Sequence, residues 1–229
     1  MIHLNKNFVI SLAALTVNLL CNISCSEEES QTPEHSWPSK HMINSYLIPE
    51  EITTNQNNTQ DSIRILVAFD GEYVRSGEDT NPPEEPHPLY NTFVEMYHDT
   101  SWYGKSSYLE SMLSYPVNSF SIVCNEDYDD LHPAGTNLSD IAKLYVCSWG
   151  DAVLNGYEIQ WNKRSESYNY WKAVEKIFGQ FTQNEKCLWF PSVWIHLPKP
   201  SLSDNLELKI TFSFEHLGDL TVTERVMFK

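Results

Sequence analysis

The chain has 229 residues, with 31 Asp+Glu against 15 Lys+Arg and a formal net charge of −16. So acidic a surface repels nucleic acid and anionic lipid headgroups, and argues against both as partners. Eight glycines leave little room for a phosphate-cradling loop. No zinc-protease helix, phosphate-binding loop or nucleophile elbow is present, so the chain reads as a non-enzyme with no cofactor.

Residues 1–24 have the parts of an export signal: a short n-region ending near Lys6, an apolar run over 8–20, and a polar stretch before Cys25. The run is shorter than the roughly 20 residues of a membrane-spanning helix. Ser11, Thr16 and Asn18 interrupt it. Asn22-Ile23-Ser24-Cys25 resembles the lipobox of bacterial lipoproteins, with Ser24 as the small residue before the acylated cysteine and Asn22 where Leu is usual. The resemblance implies cleavage after Ser24 and a lipid anchor, palmitate included, on Cys25. Cys21, behind the bulky Leu20, is the rival acceptor, and cleavage without lipidation is the remaining alternative. Removing residues 1–24 takes away Lys6 and no acid, which leaves 14 basic against 31 acidic residues and a charge of −17.

Ser26-Glu27-Glu28-Glu29-Ser30 is similar to the surface-export signal of Bacteroidetes-type outer-membrane lipoproteins, and Asp61-Ser62-Ile63 is similar to the tripeptide on which that group carries O-glycans. The resemblance implies an outer-membrane lipoprotein exposed at the cell surface, with a periplasm-facing one as the alternative, and makes Ser62 an O-glycosylation candidate. A plain solvated acidic tail is the other reading of the glutamates. Asn57 and Asn137 are N-glycosylation acceptors only in a eukaryotic secreted setting, which the lipobox opposes.

Residues 25–61 read as an acidic and polar tether, rich in Ser, Thr, Asn, Gln and Glu with Pro33, Pro38 and Pro49. Residues 42–48 are apolar enough to dock as a first strand. A folded domain is expected over 62–229. The β-branched run at 63–69 predicts a buried strand ending in a turn at Asp70-Gly71, and a proline-rich surface loop follows over 77–88. Residues 89–97 suit a strand or a short helix, with strand favoured, and 119–124 predict a strand. The loop holding Glu126, Asp127, Asp129 and Asp130 offers hard oxygen ligands to Ca²⁺, but it lacks the turn glycine and distal Glu of an EF-hand; a solvated loop with no metal is the favoured reading.

The stretch from Pro133 through Gly135 to Asp140, leading into a predicted strand over 141–149, resembles segments of uncharacterised β-sandwich lipoprotein domains of the same bacterial group. Residues 168–178 predict a helix, with Ser167 as its cap, Gly179 as its stop, and Trp171, Val174 and Phe178 on one face. Residues 188–197 predict a strand. Leu206, Leu208, Ile210, Phe212 and Phe214, then Leu220, Val222, Val226 and Phe228, alternate with polar residues on either side of Gly218-Asp219, which predicts a β-hairpin with one buried face. Together these elements predict a mainly β protein, an Ig-like β-sandwich with one short helix.

Aromatic residues in polar turns supply the functional candidates. Trp102 and Tyr103 sit beside Gly104-Lys105, Trp149 beside Gly150-Asp151, and Trp161 beside Asn162-Lys163. An exposed ring there would stack on the apolar face of a sugar; the alternative is that these rings fold back and cap the sandwich. Trp171, Trp189 and Trp194 fall on periodic segments and read as core. His87, His98 and His132 are scattered, and a Cys147–His196 thiol pair has no support from spacing. Among the remaining cysteines Cys124 and Cys147 are the likeliest disulfide pair, with three buried thiols as the alternative. The expected function is a lipid-anchored binding or accessory protein whose partner is a polysaccharide or an outer-membrane protein. A structural module docking a partner strand, and a hydrolase with a carboxylate pair, are the alternatives.

Overall fold

The computed structural model describes residues 41–78, 82–102, 111–157, 160–162, 167–169 and 172–228, and begins with two long antiparallel strands, β1 (Ser45–Gln56) and β2 (Ser62–Arg75). Cys21, Cys25, the signal, the first part of the tether, Tyr103 and Trp171 lie outside the described residues, and Trp161 is described through its backbone alone. The sandwich starts within the stretch expected to be tether, because the whole of β1 pairs with β2 from Ser45↔Arg75 to Gln56↔Ile65.

The turn expected at Asp70-Gly71 is also absent. β2 runs straight through it, and the ladder instead shifts register between Pro49 and Glu51 opposite Gly71. A Cβ at Gly71 would stand 2.1 Å from the Ile48 carbonyl oxygen, so glycine is required by close backbone approach at a bulge.

Nine further strands follow: β3 (Met112–Leu113), β4 (Val117–Cys124), β5 (Lys143–Ser148), β6 (Gln160–Asn162), β7 (Ser167–Asn169), β8 (Lys172–Ile177), β9 (Ser192–Pro198), β10 (Asn205–Phe214) and β11 (Gly218–Met227). They form a six-stranded sheet in the order β3-β1-β2-β9-β5-β8, a three-stranded sheet β11-β10-β4 and a small β6-β7 hairpin. The protein is a mainly β sandwich with few helical residues. Ile63, Ile65 and Val67 of β2, Val193, Ile195 and Leu197 of β9, and Leu144 and Val146 of β5 face inward against Phe120 and Ile122 of β4 and Leu208, Ile210 and Phe212 of β10. Phe69, Phe120, Phe212 and Phe214 interlock there, with Phe212 5.1 Å from Phe120 and 5.3 Å from Phe69 between ring centroids.

The two sheets are tied along one side. Gln56 Nε2 donates to Glu224 Oε1 and to the Arg225 carbonyl, both at 2.7 Å, and the Thr54 hydroxyl donates to Glu224 Oε2. The predicted hairpin is β10–β11, paired from Asn205↔Met227 to Phe214↔Gly218. On the other side of the small sheet, Gly135 N–H donates to the Cys124 carbonyl and Leu138 N–H to that of Ile122, so residues 135–138 cover the outer side of β4. Asn137 Oδ1 accepts from the Ile122 and Ser139 amides, which makes it a structural cap.

Two elements differ from expectation. Residues 90–96 form helix α1 (Tyr90–Met96), with Tyr90, Phe93, Val94 and Tyr97 buried at helical spacing. The helix predicted over 168–178 is instead β7, β8 and a 3₁₀ turn (Phe178–Gln180). Val174 and Phe178 are buried, and Lys176 between them gives its ammonium to Glu185 at 2.8 Å, so the stretch alternates as a strand. Cys124, Cys147 and Cys187 form no disulfide, which corrects the Cys124–Cys147 pairing: Cys124 belongs to the small sheet and Cys147 to the large one.

Phe212→Ala should lower the free energy of unfolding by about 3–5 kcal/mol in urea melts, because it opens a cavity where both sheets meet.

Candidate binding face

Strict alternation along β2, β9, β5 and β8 sends every second side chain to the face of the large sheet turned away from the core. One row on that face runs across the strands: Leu66 lies opposite Trp194, Trp194 opposite Tyr145, and Tyr145 opposite Glu175. Opposed residues in a ladder stand about 5 Å apart, so Trp194 and Tyr145 leave adjacent strands side by side on the same face. Both are half-buried, and Leu66 is 8% exposed between its ladder partners Asn55 and Trp194. The next row is Arg64, His196 and Lys143, also in register. His196 Nδ1 and Glu175 Oε1 are 2.9 Å apart, a contact that reaches over β5.

The far end of the same sheet is covered. Tyr46 and Leu47 point to opposite sides of β1: Leu47 joins the main core, and Tyr46 joins a second apolar cluster with Phe93, Tyr97 and Met112. Helix α1 and the short helix α2 (Gly150–Leu154) contribute to that cluster. Asp99, fully buried, holds it to the start of the described chain. Its two oxygens accept the Met42 and Ile43 amides at 2.8 Å each, and Oδ1 also accepts the Tyr157 hydroxyl at 2.6 Å. Burial first, and then that bond to a carboxylate, push the Tyr157 phenol well above its ordinary range.

Trp102 and Trp149, expected to present ring faces to solvent, are 8% and 4% exposed and belong to this second cluster. Trp102 packs 5.3 Å from Tyr157, and Trp149 immediately precedes α2 with its amide donating to the Leu188 carbonyl. These two rings cap the fold. Backbone pairing places Trp161 opposite Tyr168 in the β6–β7 hairpin. Trp189 is core as expected, its Nε1 donating to the Glu185 carbonyl at 2.5 Å. Trp194, read as core, is the residue that reaches the surface. Period-2 alternation marked its strand but left its direction to the register with β2 and β5.

The acidic loop has its own internal purpose. Asp127 Oδ1 accepts the Ala134 amide at 2.8 Å, and Asp129 Oδ1 accepts the Leu131 and His132 amides. His132 is clasped between two carboxylates, Nδ1 at 2.7 Å from Asp129 and Nε2 at 3.2 Å from Asp140. Among the described residues no group of three or more His, Cys, Asp or Glu is arranged to hold a metal ion. His87 sits 3.2 Å from Glu72, and the exposed His98 adopts positive φ. Cys147 and His196 do not meet. His196 opposes Lys143, four residues from Cys147, which sets them roughly 13 Å apart. The Cys187 thiol is pushed up to about 11 by burial and by Glu215, and burial also raises Cys124. Ser62 opens β2, its hydroxyl 2.8 Å from that of Thr59 in an exposed turn. No protein-family model, curated protein or solved structure matches the chain.

The hydrogen bond to Asp129, opposed by desolvation and aided by Asp140, raises the His132 pKa above its ordinary 6.5. Desolvation opposes the shift at Asp129 too, but bonds from the His132 ring and the Leu131 and His132 amides bring its carboxyl below 3.8. A raised folded-state value stabilises fully below pH 6.5 and is lost as pH rises through it; a depressed one stabilises above 3.8 and is lost as pH falls through it. The melting temperature of the native protein should therefore exceed that of His132→Gln most clearly between those limits. In melts taken at rising pH above 6.5 the gap should close.

Proposed function

We propose that this protein is a lipid-anchored cell-surface binding protein that holds a glycan against the open face of its six-stranded sheet. The observation that carries the reading is the register that sets Trp194 beside Tyr145 on that face, with Leu66 on one flank and Glu175 on the other. An indole on a sheet face offers a flat apolar surface, and the C–H faces of a pyranose lie flat on such a surface. Hydrogen-bonding groups surround it: Asn55 beside Leu66, and Arg64, His196 and Lys143 in the next row. The contacts expected from sequence at Trp102 and Trp149 move to Trp194 and Tyr145.

The anchor rests on the residues before and after Cys25. A short apolar run, Ser24 at the cleavage position and a triglutamate after the cysteine support acylation and display outside the cell. Each acyl CH₂ buried in the bilayer contributes about 0.8 kcal/mol, so two or more chains hold the protein stably. Among the described residues no helix is long and apolar enough to cross a membrane. A lipid anchor together with a ligand-holding face makes an accessory protein that gathers material at the membrane.

Titration of the purified protein with a panel of soluble polysaccharides, followed by intrinsic tryptophan fluorescence, should give a saturable shift. Trp194→Ala or Tyr145→Ala should weaken that binding more than about tenfold while the melting temperature stays close to native. No response across the panel would instead favour a protein partner. Cys25→Ala should move the protein from the membrane to the soluble fraction, and the native N-terminal peptide should carry the mass of the lipid.

A further inference from the structure

The row beside the platform is cationic in a protein that is otherwise strongly acidic. Arg64 and Lys143 are exposed on the outer face and flank His196 in register across β2, β9 and β5. Neither the Arg64 guanidinium nor the Lys143 ammonium makes an ion pair or side-chain hydrogen bond among the described residues. Among the other described basic residues, Lys176 pairs with Glu185, Lys199 with Asp204 and Arg225 with Glu207, and Arg75 and Lys186 lie over the Tyr73 and Phe178 rings. Lys209 on β10 makes no ion pair among the described residues; Arg64 and Lys143 differ from it in sharing one face. With 31 carboxyl groups available to 15 Lys and Arg, two uncompensated cations on one face are not forced by any shortage of partners.

The spacing suits a polymer. Strands lie about 4.8 Å apart, so Arg64 and Lys143, one strand removed on each side of His196, stand roughly 10 Å apart. Along β9, Trp194 and His196 are two residues apart, about 7 Å. A chain lying across the strands on Trp194 and Tyr145 therefore meets a positive charge at each end of one edge, Arg64 on β2 and Lys143 on β5, with the His196–Glu175 contact between them. At the end of the platform, Glu175 is held by His196 at 2.9 Å. Local cations are what an anionic ligand needs here, because the bulk of the protein repels it.

We propose that the ligand of this face is an acidic glycan, a chain carrying carboxylate or sulfate groups, with its rings on Trp194 and Tyr145 and its anions on Arg64 and Lys143. This rests on the glycan-binding reading above and adds the charge class of the ligand. Arginine offers a planar fork matched to carboxylate or sulfate oxygens, and lysine a mobile point charge that tolerates different anion positions.

The test uses matched pairs of polymers and the full-length protein in detergent: polygalacturonate against its methyl ester, and dextran sulfate against dextran. The expected result is binding of the anionic member of at least one pair more than about tenfold tighter than its neutral mate. The pair that responds tells carboxylate from sulfate. Arg64→Gln/Lys143→Gln should bring that ratio close to one, chiefly by weakening the anionic member, and Trp194→Ala should weaken both. Equal binding of both mates, lost in Trp194→Ala, would overturn the acidic preference and leave the glycan reading standing. Anionic binding that survives the double substitution would overturn the role of the cation row. Absence of binding to all four polymers would overturn both readings.

Discussion

The interior between the two sheets has to be dry, and in a strand that demand acts on every residue at once. Side chains alternate with period two, so burying Ile63, Ile65 and Val67 against the small sheet commits Arg64 and Leu66 to the opposite face. The same holds for Trp194 and His196 on β9, given the burial of Val193, Ile195 and Leu197, and for Lys143 and Tyr145 on β5, given Leu144 and Val146. The proposed binding face is thus the obligatory other side of the core. A slip of one residue in any of these strands would place Trp194 or Arg64 in the interior and several apolar residues in water. At about 25 cal/mol per Å² of apolar surface, several exposed side chains outweigh the whole net stability of a domain this size.

One end of that face is covered by a separate device. The β1–β2 ladder shifts register at Pro49 and Glu51, and beyond that bulge Tyr46 and Val74 lie under the second cluster. Asp99 makes that closure possible. Strand β1 needs a fixed start, and the Met42 and Ile43 amides need acceptors away from water. One buried carboxylate meets both needs, with the Tyr157 hydroxyl as a further donor. Bonds from neutral donors to a charged acceptor are worth more than ordinary ones, and burial makes the loss of any partner costly. The helices then pack Phe93, Tyr97, Trp102 and Trp149 over the covered end, so those rings do architectural work.

How much of this could be read from the sequence depends on whether the signal was local. The β10–β11 hairpin was legible because five apolar residues alternate without interruption and a glycine at φ 96° closes the turn. The strand β8 was not, because its middle inward position is Lys176, whose charge is met by Glu185 from a segment nine residues on. The remaining apolar residues, Val174 and Phe178, then fit a helix face equally well. Gly71 looked like a turn because the close approach of Ile48 is a tertiary fact. The tryptophans were the hardest. Polar neighbours around Trp102 and Trp149 suggested exposure, yet each ring is covered by residues distant in sequence, such as Tyr157 and Leu188. The half-buried Trp194 was on a strand whose alternation was clear and whose inward side could be known only from its partners.

The closure of the sandwich edges narrows the ways in which a partner can engage it. An unpaired strand edge is the usual template for strand addition. On one side of the small sheet, β11 meets β1 through Gln56, Thr54 and Glu224; on the other, residues 135–138 bond to β4, in a loop pinned by Asp127, Asp129 and His132. In the large sheet, β3 is only two residues long, and β8 carries the charged pair Glu175 and Lys176 within its six residues. Short edges and edge charges are what proteins use to discourage strand addition. The face instead carries the half-buried Trp194 beside two exposed cations without ion-pair partners among the described residues. On the proposed reading, recognition there would be by stacking and charge, which suits a polymer of sugar rings and anions better than an incoming strand.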